Sequence, residues 1–447
     1  MRRTLVPVCA LALLAASSSP TAAQDSGGLA NVLLSFFKEG TPVVVLRPNP
    51  DPARSHAAHF QSQGGVQEIL TELNAGIAAQ ISTFPLGSSS AGFAYTFDES
   101  LGTYSRATDS FGPIFTERPL TSGKGKFTLG VNYQDASWDT FQGNNLGNGD
   151  LQLYLVHQDT NRDGTTTDLF FEGDLIRANV RIDLETKTTV AHATYGVSER
   201  FDLSVAVPFV DVTLNAAIDT TIERLSTDGT GIHFFDDGTS THTYTAPGGG
   251  SASGIGDVLL RGKWNFLRKP SGSLAGFVDL RLPTGDEADL LGSGATQARF
   301  SLVAGGSTGR FSPRASFGYT FSSGGSDFTG DLPDELYYTA GFDIVPHSRV
   351  TVTADFIGRT LLDASTLVDS ESTFRHRTTP SPTAPIAETT RTELGIQTGN
   401  LSLLLGSAGI KVNPVGRLLL IGNVLFKIGD NGLQADVIPS FGIGYTF

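Results

Sequence analysis

Hydrophobic residues in this chain recur at every second position, in runs of about ten. The last fifteen residues show it most fully: Leu433, Ala435, Val437, Pro439, Phe441, Ile443, Tyr445 and Phe447 form one apolar face. Gln434, Asp436, Ser440, Gly442, Gly444 and Thr446 lie between them, with Ile438 the one apolar exception. A period of two is a strand with one greasy and one wet face. About ten such residues cross a bilayer when tilted. The same alternation recurs upstream, as in Leu418, Leu420, Gly422, Val424 and Phe426, or Val350, Val352, Ala354 and Phe356. In Leu403, Leu405, Ala408, Ile410 and Val412 the phase slips near Gly406.

The spacing of these runs predicts topology. Tight turns at 197–200, 268–272, 305–313, 345–349 and 413–417 join strands pairwise. Long links at 212–254, 284–295, 322–334 and 360–399 separate the pairs, beginning from a first strand at Gly125–Gln134. Short turns on one side and long loops on the other are the pattern of an outer-membrane barrel, with the short turns periplasmic. The expected fold is therefore all-β, an antiparallel transmembrane barrel of about twelve strands over residues 123–447. Fourteen is the alternative, should Phe93, Tyr95 and Phe97 form a further wall strand.

Residues 24–122 break the pattern. Pro42–Pro52 reads as a Pro-rich connector. Val66, Ile69, Leu70, Leu73, Ile77 and Ile81 then recur at helical spacing, predicting an amphipathic helix of roughly four turns. This N-terminal extension has three readings: a periplasmic appendage, a lid on the mouth, or a plug in the lumen.

Composition supports the class. Residues 1–23 have a basic start (Arg2, Arg3), an apolar centre and small residues before Gln24, as expected of a signal peptide. Its removal would take the net charge from -14 to -16 and delete Cys9, the one cysteine. An acidic chain argues against a nucleic-acid partner. A thiol-free one excludes disulfides and Cys-based metal or redox sites. Hydrophobic content is an ordinary 39%, dispersed rather than gathered into a spanning helix. The expected location is the outer membrane of a Gram-negative-type bacterium, with lipid as one partner. Tyr445 and Phe447 would be read by the barrel-assembly machinery.

Three motifs stand at hairpin positions in order: TYGVSERFDLSVAVPFVDV (Thr194–Val212), GIGDVLLRGKWNF (Gly254–Phe266) and LPTGDEADLLGSG (Leu282–Gly294). Together they resemble a bacterial family of transporter-like outer-membrane proteins linked by description to a meta-cleavage pathway of phenol degradation. The resemblance implies a barrel and a channel for small apolar or aromatic compounds. It defines no functional residues to carry over, and the long amino-terminal segment departs from the simplest family pattern.

With the greasy faces toward lipid, Asp257, Arg261, Lys263, Asp279, Arg281, Arg299, Arg314 and Asp355 face inward, with Lys411 on a later strand. They line a hydrated pore or neutralise one another across a closed one. Asp159, Asn161, Asp163 and Gly164 match the first half of a calcium loop, but Phe170 stands where the bidentate Glu belongs, so a polar external loop is the default. No other cofactor is expected. The eight histidines are scattered, and no Ser/His/acid set can be assembled from spacing, so an enzyme is not expected. The function expected is passive diffusion of a small solute through the lumen. The alternative is a surface-binding barrel whose loop at Ser365–Thr392 is adhesive, and a hydrolase is the more distant rival.

Overall fold

The structure, a computed structural model, describes residues 28–37, 44–46, 60, 64–89, 92–98, 100, 102–157, 174–225, 233–235, 241–269, 272–326, 330–379 and 383–447. Twelve strands close a ring, each antiparallel to the next: β1 Phe127–Trp138, β2 Asp174–Gly196, β3 Phe201–Arg224, β4 Val258–Lys269, β5 Gly272–Leu282, β6 Thr296–Gly305, β7 Phe311–Ser323, β8 Glu335–His347, β9 Val350–Arg377, β10 Ile386–Val412, β11 Leu418–Lys427 and β12 Val437–Thr446. β12 closes on β1 from Ser440↔Gln134 to Thr446↔Thr128, and Phe447 N donates to Phe127 O at 2.7 Å. Every strand thus has two partners and no edge is left bare, which a bilayer demands.

Alternation sorts the side chains as the period requires. Trp264, Phe300, Leu302, Phe317, Phe321, Phe441 and Ile443 point outward and are exposed. A belt of this kind is what lipid covers. At the short-turn end Phe127, Tyr445 and Phe447 cluster, with ring centroids 6.0 and 4.8 Å apart along the series. The closed ring and its apolar belt are those of an outer-membrane barrel.

The face assignment predicts an asymmetry. Leu280→Arg and Leu420→Arg would each put a charge into lipid at a cost of about 2–4 kcal/mol near the midplane. Leu259, one residue from outward Leu260, borders the interior cavities, so Leu259→Arg should be tolerated better. The membrane-inserted, heat-modifiable fraction measures this. Equal loss in all three variants would mean the faces are exchanged.

Two long links prove to be strands. β3 runs on to Arg224, and the chain returns as Thr243–Ile255, paired with it from Phe209↔Ile255 to Thr221↔Thr243. The link 360–399 is a paired hairpin as far as Arg377↔Ile386, so Ser365–Thr392 is largely ladder rather than loop. Both stretches stand above the lipid belt, where apolar residues turn inward, as Val212, Leu214, Ile218 and Ile222 do in β3, so they carry no outward greasy face to reveal them. Leu151–Val156 adds a second accessory strand, on β2. Neither accessory strand enters the ring. Nor does Tyr95–Asp98, which pairs with Thr103–Arg106 in a small hairpin of its own.

The slip near Gly406 also has a structural meaning. β10 pairs with β11 from Leu405 to Val412 without a bulge. Ile410 and Ala408 face out, while Leu403 and Leu405 face inward, above the lipid, where they join apolar packing at the external end. The inside is apolar there because helix α1 (Gly64–Ser82) fills it. Val66, Leu70, Leu73, Ile77, Ala78 and Ile81 are buried against β9, β10 and the 151–156 strand. Gly76 lets the ring of Phe141 close on the helix: a Cβ there would lie 2.8 Å from it. Gln80 Oε1 accepts from Leu433 N at 2.7 Å, tying the helix to the β11–β12 loop. Leu29, Leu33 and Phe36 pack beside the 243–255 strand, where Ala30 N donates to Ala288 O at 2.9 Å.

Candidate functional site

Helix α1 stops at Ser82, two residues short of the pair Phe84–Pro85, since the residue before a proline avoids the helical region. The stretch that follows, to Ser122, is rich in Pro, Gly and Ser and, outside the small hairpin Tyr95–Asp98/Thr103–Arg106, has neither helical nor strand period. Its backbone must find hydrogen-bond partners elsewhere, and it finds them on the inner face of the barrel. Arg281 donates to Ser82 O at 2.8 Å and Arg359 to Thr83 O at 3.2 Å. Lys411 Nζ reaches Pro113 O at 2.5 Å, Asn265 Nδ2 reaches Pro119 O at 2.8 Å and Lys263 Nζ reaches Leu120 O at 3.0 Å. In return Phe115 N donates to Asp355 (3.3 Å), Ser122 N to Asp202 (2.8 Å) and Phe111 N to Thr351 (3.1 Å).

These contacts run from the external end, at α1, to the short-turn end. There Arg268 bonds Thr96 and Thr121, and Tyr104 donates to Glu199 at 2.8 Å. The segment therefore threads the ring lengthwise before turning into β1. That turn passes so close to β2 that a Cβ on Gly196 would overlap Gly123 O, and Gly123 itself has φ +97°. Only glycine fits both positions.

The inward charges gather into three clusters. Glu117, from the segment, accepts from Arg261 Nη1 and from Lys263 Nζ at 3.5 Å, while Arg261 also forks onto Asp279 at 2.5 and 2.6 Å. Arg314 bridges Asp343 (2.7 Å) and Asp355 (2.5 Å) and donates to Thr116 of the segment. Arg359 pairs with Glu335 at 2.6 Å, and Arg299 reaches Glu335 at 3.3 Å while lying 4.1 Å from the Tyr337 ring centroid. All are polar groups withdrawn from solvent and satisfied by one another, the arrangement burial demands.

Of the eight inward residues read from the sequence, Arg261, Lys263, Asp279, Arg299, Arg314 and Asp355 belong to these clusters. Arg281 sits apart, held by Ser82 O. Asp257 accepts instead from Gly285 N, Ser293 N and Ser293 Oγ, and so braces the loop between β5 and β6. Sequence reasoning missed Glu117, Thr116, Asp343, Glu335 and Arg359. A signal was available, because the eight comprise five cations and three acids, so further carboxylates had to face them.

Asp159, Asn161 and Asp163 lie outside the described residues. Among the described residues no group of three or more His, Cys, Asp or Glu is arranged to hold a metal. Two histidines that spacing left apart do come together: His233 Nδ1 is 2.9 Å from Asp174, and the His157 ring centroid is 5.2 Å from that of His233. Both pack edge-on against Phe60 and are buried, as core residues of the external end.

Little room remains around the segment. One cavity of about 40 Å³ lies between Leu86, Phe115 and the arginines of β4 to β9, and one of about 20 Å³ beside His192. A cavity of about 340 Å³ lies at the short-turn end.

No curated protein matches the sequence. Among solved structures the chain is similar to an outer-membrane channel from Pseudomonas putida F1, at 11% identity and TM-score 0.44, covering 73% of this chain and 97% of that one. It is also similar to the translocator domain of the autotransporter NalP from Neisseria meningitidis (10% identity, TM-score 0.33, 73% and 89% covered). A third is the toluene transporter TodX of P. putida (10% identity, TM-score 0.31, 72% and 89% covered). Residues 157–344 match the family model described as "Putative MetA-pathway of phenol degradation", which bears out the resemblance carried by the motifs at Thr194–Val212, Gly254–Phe266 and Leu282–Gly294.

Proposed function

We propose that this chain is an outer-membrane channel for passive diffusion of small apolar or aromatic solutes, and that residues 83–122 are its displaceable constriction. One observation carries the reading: the interior of the ring is filled by a separate length of backbone, not by interdigitated side chains of the wall. A small barrel fills its own core, whereas a wider one encloses a channel or a plug. The wall clusters Arg261–Asp279, Arg314–Asp343–Asp355 and Arg359–Glu335 are paired without the segment, so the lumen behind it is polar and can be wetted. Cavities of about 40 and 20 Å³ do not admit an aromatic ring, so transport needs the segment to move. The match to a family described by phenol degradation supports an aromatic solute. The lipid belt and the terminal Tyr445 and Phe447 support outer-membrane lipid and the assembly machinery as partners. His157 and His233 are buried at the external end, His233 against Asp174, and we assign them no catalytic step.

Accumulation of a labelled aromatic hydrocarbon by intact cells tests the reading. Cells making the protein should accumulate it several times faster than cells without it, with little change for a disaccharide of similar mass. Faster sugar permeation with unchanged aromatic uptake would mean a hydrophilic pore.

A further inference from the structure

At the short-turn end of the lumen, the threaded segment and the β4–β5 and β6–β7 turns enclose the cavity of about 340 Å³. That lies within the roughly 300–1,000 Å³ of ordinary small-molecule sites. Ala107, Pro119, Leu120 and Pro313 supply apolar wall. The charged residues bordering it are Arg118, Arg268, Lys269, Arg314 and Asp343, a surplus of cations. Asp343 is engaged already: it pairs with Arg314 at 2.7 Å and accepts from Ser110 at 2.5 Å.

Arg118 is not so engaged. It is 7% exposed, and its Nη2 donates to Gly92 O at 2.7 Å, while Nε and Nη1 have no hydrogen-bond partner. No described carboxylate pairs with it. Arg268, on the same cavity, likewise keeps Nε unpartnered while its two Nη groups bond Thr96, Thr121 and Glu199 O. Withdrawing a guanidinium from water without acceptors is costly. An oxyanion at the cavity would supply them once the Arg118 guanidinium, whose Nε and Nη1 are buried, turns to meet it, and the planar fork suits a carboxylate.

We propose that this cavity is a binding site for a small monocarboxylate with an apolar body, its carboxylate on Arg118 and its body against Pro119, Leu120 and Pro313. The site deepens the channel reading and rests on it for its role: a solute leaving the lumen would pause here before the periplasm. Its chemistry stands independently of transport.

Titration calorimetry of the full-length protein in detergent, with benzoate as probe, tests the proposal. Benzoate should bind saturably, while its neutral isostere benzamide and the bare anion acetate should bind at least tenfold more weakly. Arg118→Gln should weaken benzoate at least tenfold, and Arg118→Lys less. Ser307→Trp, which fills the cavity from a turn without touching Arg118, should weaken it too, and keeps the test decisive if Arg118→Gln does not fold. Benzamide binding as well as benzoate, acetate binding as well as benzoate, or benzoate binding unaffected by either substitution would overturn the site. Benzoate binding with no aromatic uptake by cells would leave the site standing and sink the channel reading.

Discussion

A chain lacking residues 24–122 but keeping residues 1–23 should insert as a closed barrel and conduct several times more current than the full-length protein. The first half of the expectation follows from pairing. Every ladder of the ring joins residues from Phe127 onward, so no wall strand is lost. The cross-wall ion pairs survive as well: Arg261 keeps Asp279, Arg314 keeps Asp343 and Asp355, and Arg359 keeps Glu335. Lys263 and Lys411 lose carbonyl partners on the segment, but they lose them to water, which hydrates an ammonium readily. The second half follows from occupancy, since the cavities beside the segment among the arginines of β4 to β9 and beside His192 measure about 40 and 20 Å³. Planar-bilayer recording and heat-modifiable migration read the two halves separately. A barrel that inserts with unchanged conductance would show that the segment is not the constriction. Failure to insert would show that the wall needs it to close.

The sequence revealed the wall and concealed what fills it, for one physical reason. Lipid imposes a strict period of two on ten-residue runs, so Leu418 to Phe426 or Phe441 to Phe447 announce both strand and face. Above the lipid no such constraint acts, and the upper parts of β3, β9 and β10 have no outward greasy side: Leu214, Ile218, Leu367 and Leu394 are buried inside. Leu403 and Leu405 look like a break in phase because the apolar partner there is helix α1, inside, in place of lipid outside. Helix α1 itself was legible, since burying one face against the mouth imposes its own period. The threaded stretch that follows, its hairpin at Tyr95–Asp98 and Thr103–Arg106 apart, has no period because it presents different sides to different wall strands in turn. Its place could be inferred only from charge, in the excess of inward cations over inward acids, and that excess does not say which carboxylate of the chain answers it.

Glu117 answers it most directly, and Glu117→Gln should loosen the segment more than any other single substitution along it. The carboxylate accepts from Arg261, Lys263 and Ser88, and from the backbone of Ser89, so it ties two wall cations to two turns of the segment. Removing one partner of a buried pair costs up to about 3–5 kcal/mol, because the other charge stays behind. Arg261 retains Asp279, and Lys263 has Asp202 at 4.0 Å, so the cost falls toward the lower end. Even so, each 1.4 kcal/mol or so shifts an equilibrium about tenfold, and the displaced state should become about a hundredfold more populated. Thr116→Val removes a hydroxyl bonded to Asp355 and Arg314, worth about 1.5–3 kcal/mol, but leaves those two paired with each other, and serves as the contrast. Single-channel open probability and protease cleavage within residues 83–122 should both rise in Glu117→Gln and rise less in Thr116→Val. Adding Lys263→Met to Glu117→Gln should restore much of the closed state, since an apolar side chain no longer leaves a buried ammonium with one distant acid. A Glu117→Gln channel as quiet and protease-resistant as the parent would mean the backbone contacts to Lys411, Asn265 and Arg359 hold the segment on their own.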